Sequence, residues 1–103
     1  MWLCFNDGFV SAVQDYNDPE GFVARARRRK ALESLLPGQE VAVNAPGTSD
    51  YKYRVFCKKS IFCKIVLNKI MGIDYSNFKN SVKDSDLHDL YMDFWSLHHQ
   101  YQE

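Results

Sequence analysis

The sequence predicts an α+β fold: an antiparallel sheet of four to five strands with two to three helices on one face. Three observations carry this. Short stretches alternate apolar and polar side chains with the two-residue period of a half-buried strand, and turn residues separate them. Later segments change to helical spacing and end in the stripe Leu87, Leu90, Tyr91, Phe94, Trp95 and Tyr101. The 103 residues supply one hydrophobic core and not two, so residues 1–103 form a single domain.

The first strand is expected over Trp2–Asn6. Asp7-Gly8 is the strongest hairpin signal in the chain. Its partner is Phe9–Gln14, with Phe9, Ser11 and Val13 on one face and Val10, Ala12 and Gln14 on the other. Asn17-Asp18-Pro19-Glu20-Gly21 has turn composition. Phe22–Arg27 alternates as a third strand: Phe22, Ala24 and Ala26 share one face, Val23, Arg25 and Arg27 the other. A short helix over Arg28–Leu36 follows, with Ala31, Leu32, Leu35 and Leu36 at helical spacing and Pro37-Gly38 as its stop.

Glu40–Asn44 reads as a short strand, Ala45–Ser49 as a loop and Asp50–Cys57 as the next strand. The spacing of Ile61, Phe62, Ile65, Val66 and Ile70 predicts a helix over Ser60–Met71, with Ser60 as N-cap and Gly72 in the left-handed position past its end. Ile73–Val82 is irregular, with room for a single helical turn. There Asp74, Ser76 and Asn77 can bond local backbone, and Tyr75 and Phe78 can anchor the segment. The last helix starts near Asp84 or Ser85, and Asp86 and Asp89 complement the positive end of its dipole. If its stripe is core, Trp95→Ala costs about 3–5 kcal/mol.

Composition narrows the function. Apolar residues make up 46%, charged residues 25% and aromatics 15%, the balance of an ordinary globular domain. No apolar run approaches the roughly 18 residues of a membrane span, and the N-terminus lacks the basic and apolar regions of a signal peptide. The expected compartment is the cytoplasm. Net charge is zero, which argues against a histone-like nucleic-acid packager. The charge is nevertheless segregated. Residues 1–20 carry −4, residues 21–70 carry +8, and residues 71–103 carry −4.

The basic cluster Arg25, Arg27, Arg28, Arg29 and Lys30 is the leading candidate binding site. Lys52 and Arg54 alternate in the same sense on a later strand and can join it. Cations at a helix start oppose the dipole, so an anionic partner gives them a use. Their plain alternative is a solvated face paired with the acidic ends. Tyr51, Tyr53 and Phe56 beside Lys52 and Arg54 could form a stacking platform for single-stranded nucleic acid, or fill the core.

Catalytic designs find little support. Cys4, Cys57 and Cys63 form no Cys-x-x-Cys pair and read as small buried hydrophobes. His88, His98 and His99 lack the i, i+4 spacing of a helical metal pair. No serine sits in a Gly-x-Ser-x-Gly elbow, and no glycine-rich phosphate loop is present. The expectation is a protein that is not an enzyme, with no cofactor and no metal.

The segments Phe5–Ser11 (FNDGFVS), Val23–Arg27 (VARAR), Asp50–Arg54 (DYKYR), Ile73–Val82 (IDYSNFKNSV) and His88–Trp95 (HDLYMDFW) together resemble a family of small bacterial proteins of similar length, some carried by phages, plasmids and integrated elements. The resemblance runs over nearly the whole chain, and Asp74–Val82 is its most specific block. The chain departs from the pattern at Cys57-Lys58-Lys59-Ser60 and Cys63, where an acidic, alanine-rich helix start is expected. The resemblance supplies no activity. It implies a setting in which small single-domain proteins act as stoichiometric inhibitors of host defence, anti-CRISPR proteins included.

The resulting expectation is a non-enzymatic interaction protein that binds a bacterial protein or ribonucleoprotein complex, as an inhibitor of a CRISPR–Cas type defence complex. The alternative is a nucleic-acid-binding module that contacts phosphates through the basic patch.

Overall fold

The hairpin signal lies where β1 (Trp2–Phe5) meets β2 (Gly8–Gln14), but the glycine is not in the turn. Phe5 pairs with Gly8, so Asn6 and Asp7 make the connection. The computed structural model describes residues 1–48 and 50–103, so Ser49 of the expected loop lies outside the described residues. β3 (Gly21–Ala26) pairs with β2, and β5 (Tyr53–Lys58) pairs with β3. The two-residue β4 (Ala42–Val43) closes the edge beyond β5. The sheet is five-stranded and antiparallel throughout, in the order β1-β2-β3-β5-β4.

The alternation read from the sequence sets which face is buried. Val10, Ala12, Ala24, Ala26 and Val55 share the core face. α1 (Arg29–Leu35) lies across it, burying Ala31, Leu32 and Leu35, with Leu36 just beyond. α2 (Lys59–Met71) adds Phe62, whose ring meets Phe22 edge-on at 5.5 Å. α1 approaches closely because Gly8 has no side chain. A Cβ there would stand 2.8 Å from the Cβ of Ala31.

α2 departs from expectation at both ends and along its face. Its N-cap is Lys58, with no side-chain cap bond, because Lys59 takes helical geometry straight out of β5. Gly72 closes it at φ −85°, not in the left-handed region. Of the expected apolar set only Phe62 is buried, Ile65 and Val66 are half-buried, and Ile61 and Ile70 are exposed. The helix meets the sheet along one side near its start, and the body does not extend far enough to cover the rest.

The Ile73–Val82 segment holds one turn, α3 (Phe78–Ser81), capped by the Asn77 side chain, which accepts from the Asn80 N–H at 3.1 Å. α4 (Ser85–His99) starts at Asp84, whose carboxylate accepts from the Leu87 N–H at 3.0 Å. Aromatic rings hold α4 to the hairpin. Phe94 stacks on Trp2 at 5.8 Å and meets Phe9 at 5.5 Å, and both partners project from the face opposite Val10. Tyr91 is buried against Phe78 at 5.1 Å. The stripe is therefore core only in part: Trp95 is 50% exposed and Tyr101 is almost wholly exposed. No helix among the described residues is long and apolar enough to cross a membrane.

Candidate interaction surface

The sheet register decides what the basic residues become. Arg25 in β3 stands directly opposite Arg54 in β5. Like charges so placed repel, and the neighbours offset this. Arg25 Nη2 donates to the Ser11 hydroxyl at 2.8 Å, the next strand over in the same cross-strand row. Arg54 donates to the Asp50 carboxylate. The Tyr51 N–H, then the charges of Arg54 and Arg25, hold Asp50 below the usual carboxylate range.

Tyr51 completes the cluster. Its ring is nearly buried, with the Arg25 guanidinium 4.7 Å and the Arg27 guanidinium 4.3 Å from its centroid. Such stacking fixes two long, flexible cations on one rigid support. The Nε atoms of Arg25 and Arg54 are buried and find no acceptor among the described residues. The guanidinium tips are thus held at the surface from beneath. The expected aromatic platform does not assemble. Arginines cover Tyr51, Tyr53 packs against the core, and Phe56 projects from the other side of the strand. Lys52 lies over the Tyr53 ring at 5.5 Å, at the border of the cluster.

Arg28, Arg29 and Lys30 part from this group because the chain turns into α1 after Arg28. Arg29 bridges to Glu33, one turn on, at 2.7 Å. Arg28 reaches across to α4, bonding Asp86 at 2.7 Å with Asp84 at 3.8 Å, and the Asp86 bond raises its pKa. Between these elements lies a cleft of about 560 Å³. Gly8, Phe9, Ala31, Leu87 and Leu90 supply its apolar lining, and its charged rim is mixed, with Arg27, Arg28, Lys30 and Lys83 beside Asp7, Asp84 and Asp86.

The acidic ends do pair with the basic middle, but at its margins. Asp7 meets Lys69 at 3.3 Å, Asp18 meets Lys58 at 2.7 Å, and Asp86 meets Arg28. Among the described residues, the acid that meets the Arg25–Arg54 centre is Asp50, which is local in sequence. Arg25, Arg27, Lys52 and Arg54 come together around Tyr51, while Arg28 and Lys30 border the cleft, with Arg27 common to both. Ser11 as the anchor of Arg25, Tyr51 as support and Lys83 as a rim residue were not legible in advance. Asp50-Tyr51-Lys52-Tyr53-Arg54 carried a partial signal, but the link to Ser11 exists only through strand register.

The remaining chemistry is sparse. Cys4 and Cys63 are exposed and Cys57 is half-buried, contrary to the expectation of buried thiols, because β1 is an edge strand and α2 turns Cys63 outward. His99 stacks on Trp95 at 6.1 Å, and His88 Nδ1 is 3.9 Å from Asp89. Among the described residues no group of three His, Cys, Asp or Glu side chains is placed to hold a metal. No protein-family model, curated protein or solved structure matches this chain.

Proposed function

We propose that this chain is a non-enzymatic interaction protein that binds a bacterial protein or ribonucleoprotein complex through the arginine face centred on Tyr51. One observation carries the reading: Arg25, Arg27 and Arg54 are each held by contacts within the chain, Arg25 and Arg27 on the Tyr51 ring, Arg25 also by Ser11, and Arg54 by Asp50. Ordering a long side chain on binding costs about 0.5–1.5 kcal/mol. Arginines already stacked and hydrogen-bonded avoid much of that cost, and arginine is among the residues that dominate interface energies. The resemblance of nearly the whole chain to small bacterial proteins, some of them carried by phages and mobile elements, directs the search toward a CRISPR–Cas type defence complex, with stoichiometric inhibition as the mode.

The test is capture from bacterial lysate by tagged protein, with and without nuclease, in parallel with a variant carrying Arg25→Glu, Arg27→Glu and Arg54→Glu. A stoichiometric protein retained by wild type after nuclease and lost by the folded variant is the expected result. Equal retention by the variant would sink the arginine face. The second reading, a nucleic-acid-binding module contacting phosphates through the same residues, is favoured by the direct cross-strand pairing of Arg25 with Arg54. It predicts anisotropy titrations with DNA or RNA whose affinity falls steeply with salt. No binding at low salt removes it.

A further inference from the structure

The molecule exposes more surface than its mass requires. Its accessible area is 7395 Å², against about 6,000 Å² for a folded monomer of this size. Its radius of gyration is 14.5 Å, where about 13 Å is usual. The excess of about 1,400 Å² per chain is more than the roughly 800 Å² that each partner buries in an interface of standard size.

Two helices carry much of it. On α2, Leu67, Ile70 and Met71 are each more than half exposed, and Cys63 one turn earlier is exposed as well. Cys63, Leu67, Ile70 and Met71 fall at i, i+4, i+7 and i+8, so they form a second apolar stripe on the side away from Phe62. On α4, Leu97 and Tyr101 lie one turn apart and are exposed, while Phe94, the residue before them on this side, is already packed against Trp2 and Phe9. Leu97 is 63% exposed. Cys63, Leu67 and Ile70 show the four- then three-residue spacing by which one helix receives another. α2 spans 13 residues and α4 spans 15, about 20 and 22 Å, so their lengths match.

Charge selects the occupant. α2 contains Lys59, Lys64 and Lys69 and no acidic residue, whereas α4 contains Asp86, Asp89 and Asp93 and no lysine or arginine. Lys59 lies over the Phe22 ring, Lys69 meets Asp7 and Asp86 meets Arg28 within the chain, which leaves Lys64 on α2 and Asp93 on α4 as the complementary pair. Net charge is zero, so no long-range repulsion keeps copies apart. We infer that the occupant of the exposed α2 stripe is α4 of a second copy of this chain, packed side by side with Lys64 facing Asp93. This goes beyond the partner reading and does not use the arginine face.

Sedimentation equilibrium from about 5 to 200 µM tests it, and self-association with Kd of about 1–100 µM is expected. Raising salt from about 50 to 500 mM should weaken it, since the bordering charges are exposed. Leu67→Asp should abolish association. Lys64→Glu and Asp93→Lys should each weaken Kd about tenfold, and the two together should restore it. All three positions are exposed, so circular dichroism should report unchanged folding. Arg25→Gln should associate like wild type. A monomer across the whole range overturns the inference. So does association indifferent to Leu67→Asp, or loss in both charge variants without restoration in the swap.

Discussion

The Tyr91 hydroxyl on α4 donates to the Gly8 carbonyl at 3.0 Å, joining residues 83 positions apart. It also lies 2.8 Å from the Phe5 carbonyl, so one phenol serves both ends of the β1–β2 turn. Tyr91 is the one buried side chain among the described residues of α4. The hairpin tip, α1 beneath it and α4 beside it therefore meet at a single point.

Tyr91→Phe should cost about 1–3 kcal/mol, because the carbonyls of Phe5 and Gly8 lose a donor in a buried place. Urea unfolding at neutral pH measures it. A loss of a few tenths would mean that water replaces the hydroxyl.

Burial, with Cys4 and Asp7 adding, pushes the Tyr91 phenol well above its usual value. The folded state holds that proton more tightly than the unfolded chain does. Its contribution is therefore intact below about pH 10 and is lost as pH rises further. Burial raises the Cys4 and Cys57 thiols too, with the same sign from about pH 8.5 upward. Stability curves at stepwise higher pH should fall less steeply for Tyr91→Phe than for wild type.

Gly8→Ala should destabilise the fold by about 1–3 kcal/mol, since the new methyl meets the Ala31 side chain and α1 must move. Ala31→Gly should recover part of the loss in the double variant, less about 1 kcal/mol of helix propensity. An additive double variant would place the strain elsewhere.

Phe62→Ala should cost about 3–5 kcal/mol, as for a fully buried aromatic. Trp95→Ala should cost only about 1 kcal/mol, from half a ring of burial and the Lys79 ammonium 4.3 Å from its centroid. Thermal unfolding of the two variants side by side separates them. Similar losses would mean that α4 is packed more deeply than its exposure implies.

Acid should loosen the joins between the ends and the middle of the chain. The Lys58 side chain, then the Glu20 N–H, holds the Asp18 carboxylate below its usual range; the Leu87 N–H, then Arg28, does so for Asp84. For a lowered carboxylate the contribution is present above the unfolded pKa and is lost as pH falls through the folded one. The loss should therefore begin near about pH 4 and continue below it. Asp18→Asn should flatten that limb in denaturation curves taken down to about pH 2.

Strand alternation was legible, because each face of a half-buried strand must repeat every two residues. Val10, Ala12, Ala24 and Ala26 were placed on shared faces correctly. Helix existence was legible for the same periodic reason. Ends were less so: Ser60 suits a cap chemically, yet the helix begins at Lys59 because β5 runs straight into it. Gly8 looked like a turn residue because turns use glycine most often, yet its role is the space it leaves for Ala31.

The sequence by itself determined the α+β class, the faces of β2 and β3, the single turn before α4 and the segregation of charge, all of which follow from periodicity and composition. Only the tertiary structure decided that β5 lies between β3 and β4, which sets Arg25 against Arg54 and brings Tyr51 under two guanidinium groups. It also decided that α2 leaves Leu67, Ile70 and Met71 in water and α4 leaves Leu97 there. Strand order and helix docking depend on contacts between residues far apart in the chain, and periodicity reports only on neighbours.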